Sequence, residues 1–185
     1  MSDEPEETSL TSICLVLLRE VRMEQGYRQA YLASWVGRTT GTWTKIEAGT
    51  NPLQLDVLFH ICTCMRITPS HVLATAERYA VILSQHGWSI LTSHLPSKKD
   101  SLLRLAQQYW TLPARSRGLA PRRGSVLDGP LYGGNPHEVP LPAVFQFALD
   151  PAYRAATLDG AAVAHLDPAG HMQLPGRPPM QASVA

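Results

Sequence analysis

The stretch from Gly26 to Gly49 constrains the fold more than any other part of the chain. It reads as helix, glycine turn, helix. Gly26 ends one helix, Gln29–Val36 form a second that stops at Gly37, and a third begins at Thr39 and ends before Gly49. Glycine adopts the left-handed backbone that lets a chain turn sharply off a helix end. Gly37 therefore joins two short helices packed at a steep angle. Ala33 is small where those two helices must approach closely, and Thr39 is a residue type that caps helix N-termini.

Apolar periodicity extends this to five helices between residues 10 and 75. The first spans roughly Thr11–Gln25, with Cys14, Leu17, Leu18 and Val21 at helical spacing. The second turns Leu32, Ala33 and Val36 inward. A fourth starts at Leu53 or Leu55 and ends at Met65, with Leu55, Leu58, Ile61, Cys62 and Met65 on one face. A fifth opens at Thr68-Pro69, with proline at the first helical position, and carries Val72 and Leu73.

The third helix is different. It presents Thr40, Gly41, Thr44 and Lys45 on a face with almost no apolar residue. A short polar helix with small side chains at its start fits a DNA major groove. With Leu18, Arg22, Gly26, Gln29, Leu32, Ala33, Gly37, Thr39, Thr42, Lys45, Ile46, Glu47, Gly49, Pro52, Leu55, Leu58, Met65, Ile67 and Leu73 at their spacing, the chain resembles the Xre-type, phage-repressor-like helix-turn-helix family. The resemblance covers residues 10–75.

The resemblance implies a mainly α protein built on a five-helix, lambda-repressor-like DNA-binding domain. It implies a sequence-specific transcriptional regulator, a repressor by analogy, bound to double-stranded DNA as a homodimer. It places Thr40, Gly41, Thr44 and Lys45 where the family reads base edges. Gln29, Thr39, Thr42 and Asn51 fall where the family touches the DNA backbone, and Arg28 and Arg38 are expected backbone contacts as well. Arg22 and Glu47 match positions that form an ion pair orienting the third helix. Read without the resemblance, a threonine-rich helix is also an ordinary solvated surface, and capping alone explains Thr39.

The chain departs from the family at several positions. Arg28 stands where Ser, Thr or Asn is usual, so the second helix gains a poorer cap. Tyr31 and Trp35 replace charged surface residues and lie four apart on one helical face. They are a candidate partner surface, or else are partly buried against neighbours. Gly41 inside a helix costs up to about 1 kcal/mol in propensity.

Beyond residue 75, accessory helices are expected over 76–111. Ala76–His86 carries Tyr79, Ala80 and Leu83, and Ser101–Trp110 carries Leu102, Leu105, Ala106 and Tyr109. Trp88–Thr92 reads as a strand or a helical turn. Residues 112–142 are rich in Pro, Gly and Arg and read as a linker. Lys98, Lys99, Arg104, Arg115, Arg117, Arg122 and Arg123 make this region a basic arm for phosphates or a solvated linker. Val144–Leu149, Arg154–Leu158, Ala161–Leu166 and His171–Leu174, separated by Leu-Asp turn signals, read as a small β-meander over 143–175; the alternative is a disordered tail. Residues 1–9 read as a disordered acidic tip and 176–185 as a loose tail.

The formal net charge of +1 leaves any nucleic-acid binding to a local basic face. Cys14, Cys62 and Cys64 are odd in number and without framework spacing, which points to a reducing, cytoplasmic setting. The longest apolar run, Ile13–Leu18, is too short to span a bilayer, so no membrane partner is expected. The chain has no P-loop, nucleophile elbow or H-E-x-x-H, its histidines are scattered, and Cys62 and Cys64 point in different directions on a helix. No enzyme activity, metal or cofactor is expected. The rival function is a protein-interaction module, such as an antitoxin or adaptor, that uses Tyr31 and Trp35. A third is an effector-sensing regulator with the C-terminal region as sensor.

Overall fold

The apolar run Ile13–Leu18 forms the centre of the protein in a computed structural model, where ten of the fifteen residues of α1 (Leu10–Glu24) are buried. A helix apolar on every side has to be enclosed, and the other elements do so. They are, in order, β1 (Glu7–Ser9), α1, α2 (Gln29–Trp35), α3 (Thr40–Glu47), α4 (Leu55–Cys64), α5 (Pro69–Gln85), β2 (Ser89–Leu91), α6 (Ser101–Thr111), a 3-10 turn (Val126–Asp128), α7 (Ala143–Leu149) and α8 (Pro151–Val163). The structure describes residues 6–93, 95–113, 125–129 and 141–163. Among them the protein is mainly helical, with β1 and β2 paired in a parallel two-stranded sheet, Thr8 opposite Ile90. No single helix is long and apolar enough to cross a membrane.

The strand β1 corrects the expectation of an acidic tip running through residue 9. Thr8 and Ser9 are fully buried, because two helix N-termini meet there. Ser9 caps α1, its hydroxyl accepting from the Ser12 N–H at 3.1 Å. Asp100 caps α6, accepting from the Leu103 N–H at 2.9 Å, and it also accepts from the Thr8 hydroxyl at 2.9 Å and the Ser9 N–H at 3.3 Å. The Asp100 carboxylate is wholly buried, and these donors replace the water it has lost. Parallel strands need a long crossover; here α1 to α5 supply it.

The helix α5 runs unbroken across residues 75 and 76, where the sequence placed a division between a domain and accessory helices. Its Val72, Ala76, Tyr79 and Leu83 share one core with Leu102, Leu105, Ala106 and Tyr109 of α6. The Tyr79 ring stacks on Phe145 of α7 at 3.9 Å and 7°. The added helices are thus part of the same body as α1.

Two further expectations are corrected. The β-meander is absent where its first two strands were placed: Val144–Leu149 lies in α7 and Arg154–Leu158 in α8. Leu149-Asp150-Pro151, read as a hairpin turn, is a helix start. Asp150 accepts from the N–H groups of Ala152 and Tyr153 at 2.9 and 3.0 Å, and Pro151 opens α8. Alanine-rich segments favour this outcome. Of the third expected strand, residues 161–163 belong to α8; its remainder, the fourth strand and the 176–185 tail lie outside the described residues.

The expected linker over 112–142 contains an anchored turn. Val126 and Leu127 are buried, Glu24 accepts from the Val126 N–H at 2.8 Å, and the Leu127 carbonyl accepts from Thr75 at 3.1 Å and Arg78 at 3.0 Å. Arg115, Arg117, Arg122 and Arg123 of the expected basic arm lie outside the described residues.

Candidate nucleic-acid interface

Three side chains fix α3. Trp43, Ile46 and Glu47 recur at helical spacing and are buried. Their burial turns Thr40, Gly41, Thr44 and Lys45 to the opposite side, where all four are exposed. Gly37, at φ +63°, makes the reversal from α2 into α3, and the Arg38 N–H closes it on the Ala33 carbonyl at 2.9 Å. Ala33 is buried beneath this corner.

The pair Arg22 and Glu47 lies at the base of α3. Arg22 Nε donates to Glu47 Oε1 at 2.6 Å and its terminal nitrogen donates to Oε2 at 3.2 Å, a bidentate contact. The other terminal nitrogen donates to the Tyr27 carbonyl at 2.8 Å. Arg19 approaches Glu47 Oε2 at 3.8 Å. Glu47 is 2% exposed, so the interaction is desolvated and its partners are needed.

The same carboxylate orders Gln29. Only an amide N–H can face it, so Gln29 Nε2 donates to Glu47 Oε2 and Gln29 Oε1 is left to accept from the Thr44 hydroxyl at 3.1 Å. Thr44 also has its own-helix acceptor, the Thr40 carbonyl, at 2.9 Å. A continuous chain of contacts therefore runs from Arg22 and Glu47 through Gln29 to Thr44 on the exposed face.

The remaining expected residues fall as follows. Thr39 caps α3, accepting from the Thr42 N–H at 3.2 Å, and the two threonine hydroxyls lie 3.0 Å apart. Arg28 precedes α2 and makes no side-chain cap bond, while Arg28, Arg38 and Lys45 are all exposed. Asn51 is half-buried and its N–H donates to the Lys45 carbonyl at 3.0 Å. From residue 25 to 54 the charged side chains are Arg28, Arg38, Lys45 and Glu47, and the one acid is the buried, paired Glu47. Within this stretch the exposed charges are all positive, and the exposed carboxylates of Glu24 and Asp56 lie just outside it.

Tyr31 is 54% exposed, whereas Trp35 is half-buried. Tyr27 meets both edge-on, with ring centroids 6.5 Å from Tyr31 and 5.0 Å from Trp35. Trp35 is covered by a neighbour the sequence reading had not paired with it, although Tyr27, Tyr31 and Trp35 follow at intervals of four.

Sequence reasoning also missed the side chains behind α3. Arg19 lies over the Trp110 ring at 3.9 Å, and Trp110 Nε1 donates to Glu20 at 2.8 Å. Their signal was the apolar face of Ser101–Trp110, which pointed to packing without naming its partner.

Among the described residues no three of His, Cys, Asp and Glu come together in a way that could hold a metal ion. Burial, with a smaller push from Cys62, raises the Cys14 thiol to about 12, and burial raises Cys62 to about 11. Both are therefore protonated and unreactive near neutrality. In comparisons with protein-family models, curated proteins and solved structures, the chain matches none.

Proposed function

We propose that this protein is a sequence-specific, DNA-binding transcriptional regulator whose α1–α5 form a lambda-repressor-like unit, with α3 lying in the major groove. The observation that carries this is the build of α3. Three buried anchors hold it by one side, its free side bears only short polar side chains and one lysine, and the exposed charges between residues 25 and 54, Arg28, Arg38 and Lys45, are positive. Thr40, Thr44 and Lys45 are short or flexible donors and acceptors for base edges, while Arg28 and Arg38 are placed for phosphates. As a repressor the protein acts by occupancy, two copies sitting on half-sites about one helical turn apart.

The test is a polarisation titration against duplex fragments selected from random DNA, at two salt concentrations. Affinity is expected to fall steeply with salt. Thr44→Ala with Lys45→Ala is expected to lower affinity while the circular dichroism spectrum stays unchanged. Unaltered affinity in that double variant overturns the assignment of α3.

The exposed Tyr31 beside Tyr27 and Trp35 favours a second reading, a protein-interaction module using α2. Under it, Tyr31→Ala abolishes capture of a co-purifying protein, and no duplex is bound in preference to another.

A further inference from the structure

Helix α6 lies outside the five-helix unit, yet it reaches the C-terminal end of α3 by one direct bond, one contact with the residue beyond the cap and one route through α1. Gln107 Nε2 donates to the Ala48 carbonyl at 3.0 Å. Ala48 is the C-cap of α3, and the last carbonyls of a helix have no partner within it. Leu103 presses on Gly49, the residue that follows. Trp110 stacks under Arg19, which in turn approaches the Glu47 carboxylate.

The helix α6 is itself fixed along its length. At its start Asp100 ties it to β1, whose last residue Ser9 is also the N-cap of α1. At its end Trp110 donates to Glu20 of α1. On its outer side Tyr109 packs on Phe147 of α7, with centroids 5.6 Å apart. A support held at both ends by α1 and backed by α7 transmits its position to whatever it touches.

We propose that α6 is a splint that sets the angle at which α3 projects, with Gln107 and Trp110 as positioning residues for DNA discrimination. This rests on the DNA-binding reading given above. Neither side chain is on the exposed face of α3. Gln107 acts through the Ala48 carbonyl. Trp110 acts through Arg19 and Glu47, and from Glu47 the contact chain continues through Gln29 to Thr44. A tilt at the base of a helix moves its reading side chains relative to the base edges. Phosphate contacts made by flexible arginines and lysines tolerate the same tilt.

The experiment compares wild type, Gln107→Ala and Trp110→Phe on the full chain. It measures affinity for a selected duplex and for an unrelated duplex at several salt concentrations, together with amide hydrogen exchange across residues 39–51. The expected result is a fall of about five- to tenfold in the ratio of selected to unrelated affinity, the lower end of the effect of one mismatched base pair. The salt slope stays as in wild type, since no phosphate contact is removed. Exchange quickens at residues 44–51 and not throughout α1. Gln107→Lys, which keeps a donor at the helix end, is expected to restore the ratio.

Two results overturn the splint. One is an unchanged ratio in both variants. The other is an equal loss on both duplexes with exchange quickened throughout, which marks general destabilisation. Absence of any preference between duplexes in wild type is a different failure: it removes the DNA-binding reading and the discrimination role with it. If Trp110→Phe fails to fold, Gln107→Ala and its lysine counterpart decide the matter alone.

Discussion

Leu103 of α6 lies over Gly49 so closely that a β-carbon at position 49 would overlap its δ1 methyl. Gly49 also holds φ at +70°, and Leu103 is buried, so its δ1 methyl has to turn within the core to make way. The left-handed conformation adds about 1–2 kcal/mol for a residue with a side chain, and overpacking adds about 1–3 kcal/mol. Gly49→Ala is expected to destabilise the protein by about 2–5 kcal/mol, read from the urea unfolding midpoint. Leu103→Ala made in that background should recover the packing part, so that the double variant is more stable than the sum of the singles. Additive losses would mean that α6 does not bear on this turn.

Gly41 is the opposite case. It sits in ordinary helical backbone, and nothing lies within 4 Å of where its β-carbon would be. Gly41→Ala is expected to raise stability by up to about 1 kcal/mol through helix propensity. Under the proposed function the added methyl stands on the face that approaches the bases, so affinity for the selected duplex falls. A thermal melt and a titration on one sample check both. Rising stability with unaltered affinity would place residue 41 away from the DNA.

Arg22 and Glu47 are coupled across the base of α3. Arg22→Met leaves a buried carboxylate with Gln29 and the more distant Arg19 as its donors, and the expected loss is about 3 kcal/mol. Arg22→Met combined with Glu47→Leu removes the stranded charge, so the double variant is expected to be more stable than Arg22→Met alone. Chemical denaturation of the three variants measures this. A double variant weaker than the single would show that the carboxylate is not what makes the loss.

The buried thiols make stability depend on alkaline pH. The ordinary thiol value is 9.0, against about 11 for folded Cys62 and about 12 for folded Cys14. Below about pH 9 both states keep the proton and the fold keeps its full stability. Above it the unfolded chain loses protons that the folded chain retains, so stability falls as pH climbs from 9 through about 11 to about 12. Cys14→Val with Cys62→Ala is expected to flatten that part of the curve in denaturant titrations. A wild-type slope that persists in the double variant would assign the effect to other groups.

Local rules made α1 to α5 legible: glycines at helix ends, Thr39 and Thr68-Pro69 at helix starts, and apolar residues at helical spacing. The outward direction of Thr40, Thr44 and Lys45 followed from the same spacing. Long-range partners were not legible. Nothing near Asp100 in sequence announces Thr8, and nothing near Trp110 announces Arg19. Short apolar runs were ambiguous too. Residues 143–149 are apolar at every position but Gln146, and such a run reads as a buried strand or a buried helix, while an Asp-Pro pair signals a turn as readily as a cap. The partners of the Gln29 side-chain amide, Glu47 and Thr44, were not legible either.

The carboxylate of Asp100 takes its hydroxyl partner from a residue 92 positions earlier in the chain. As the polypeptide leaves a ribosome, β1 therefore emerges ahead of α1 and waits through the synthesis of five helices before its seam with α6 can close. Pairings of such long sequence separation form slowly. During that interval the amino end of the central helix lacks the cover of Asp100, and the shared core lacks the side chains that α6 and α7 contribute to it.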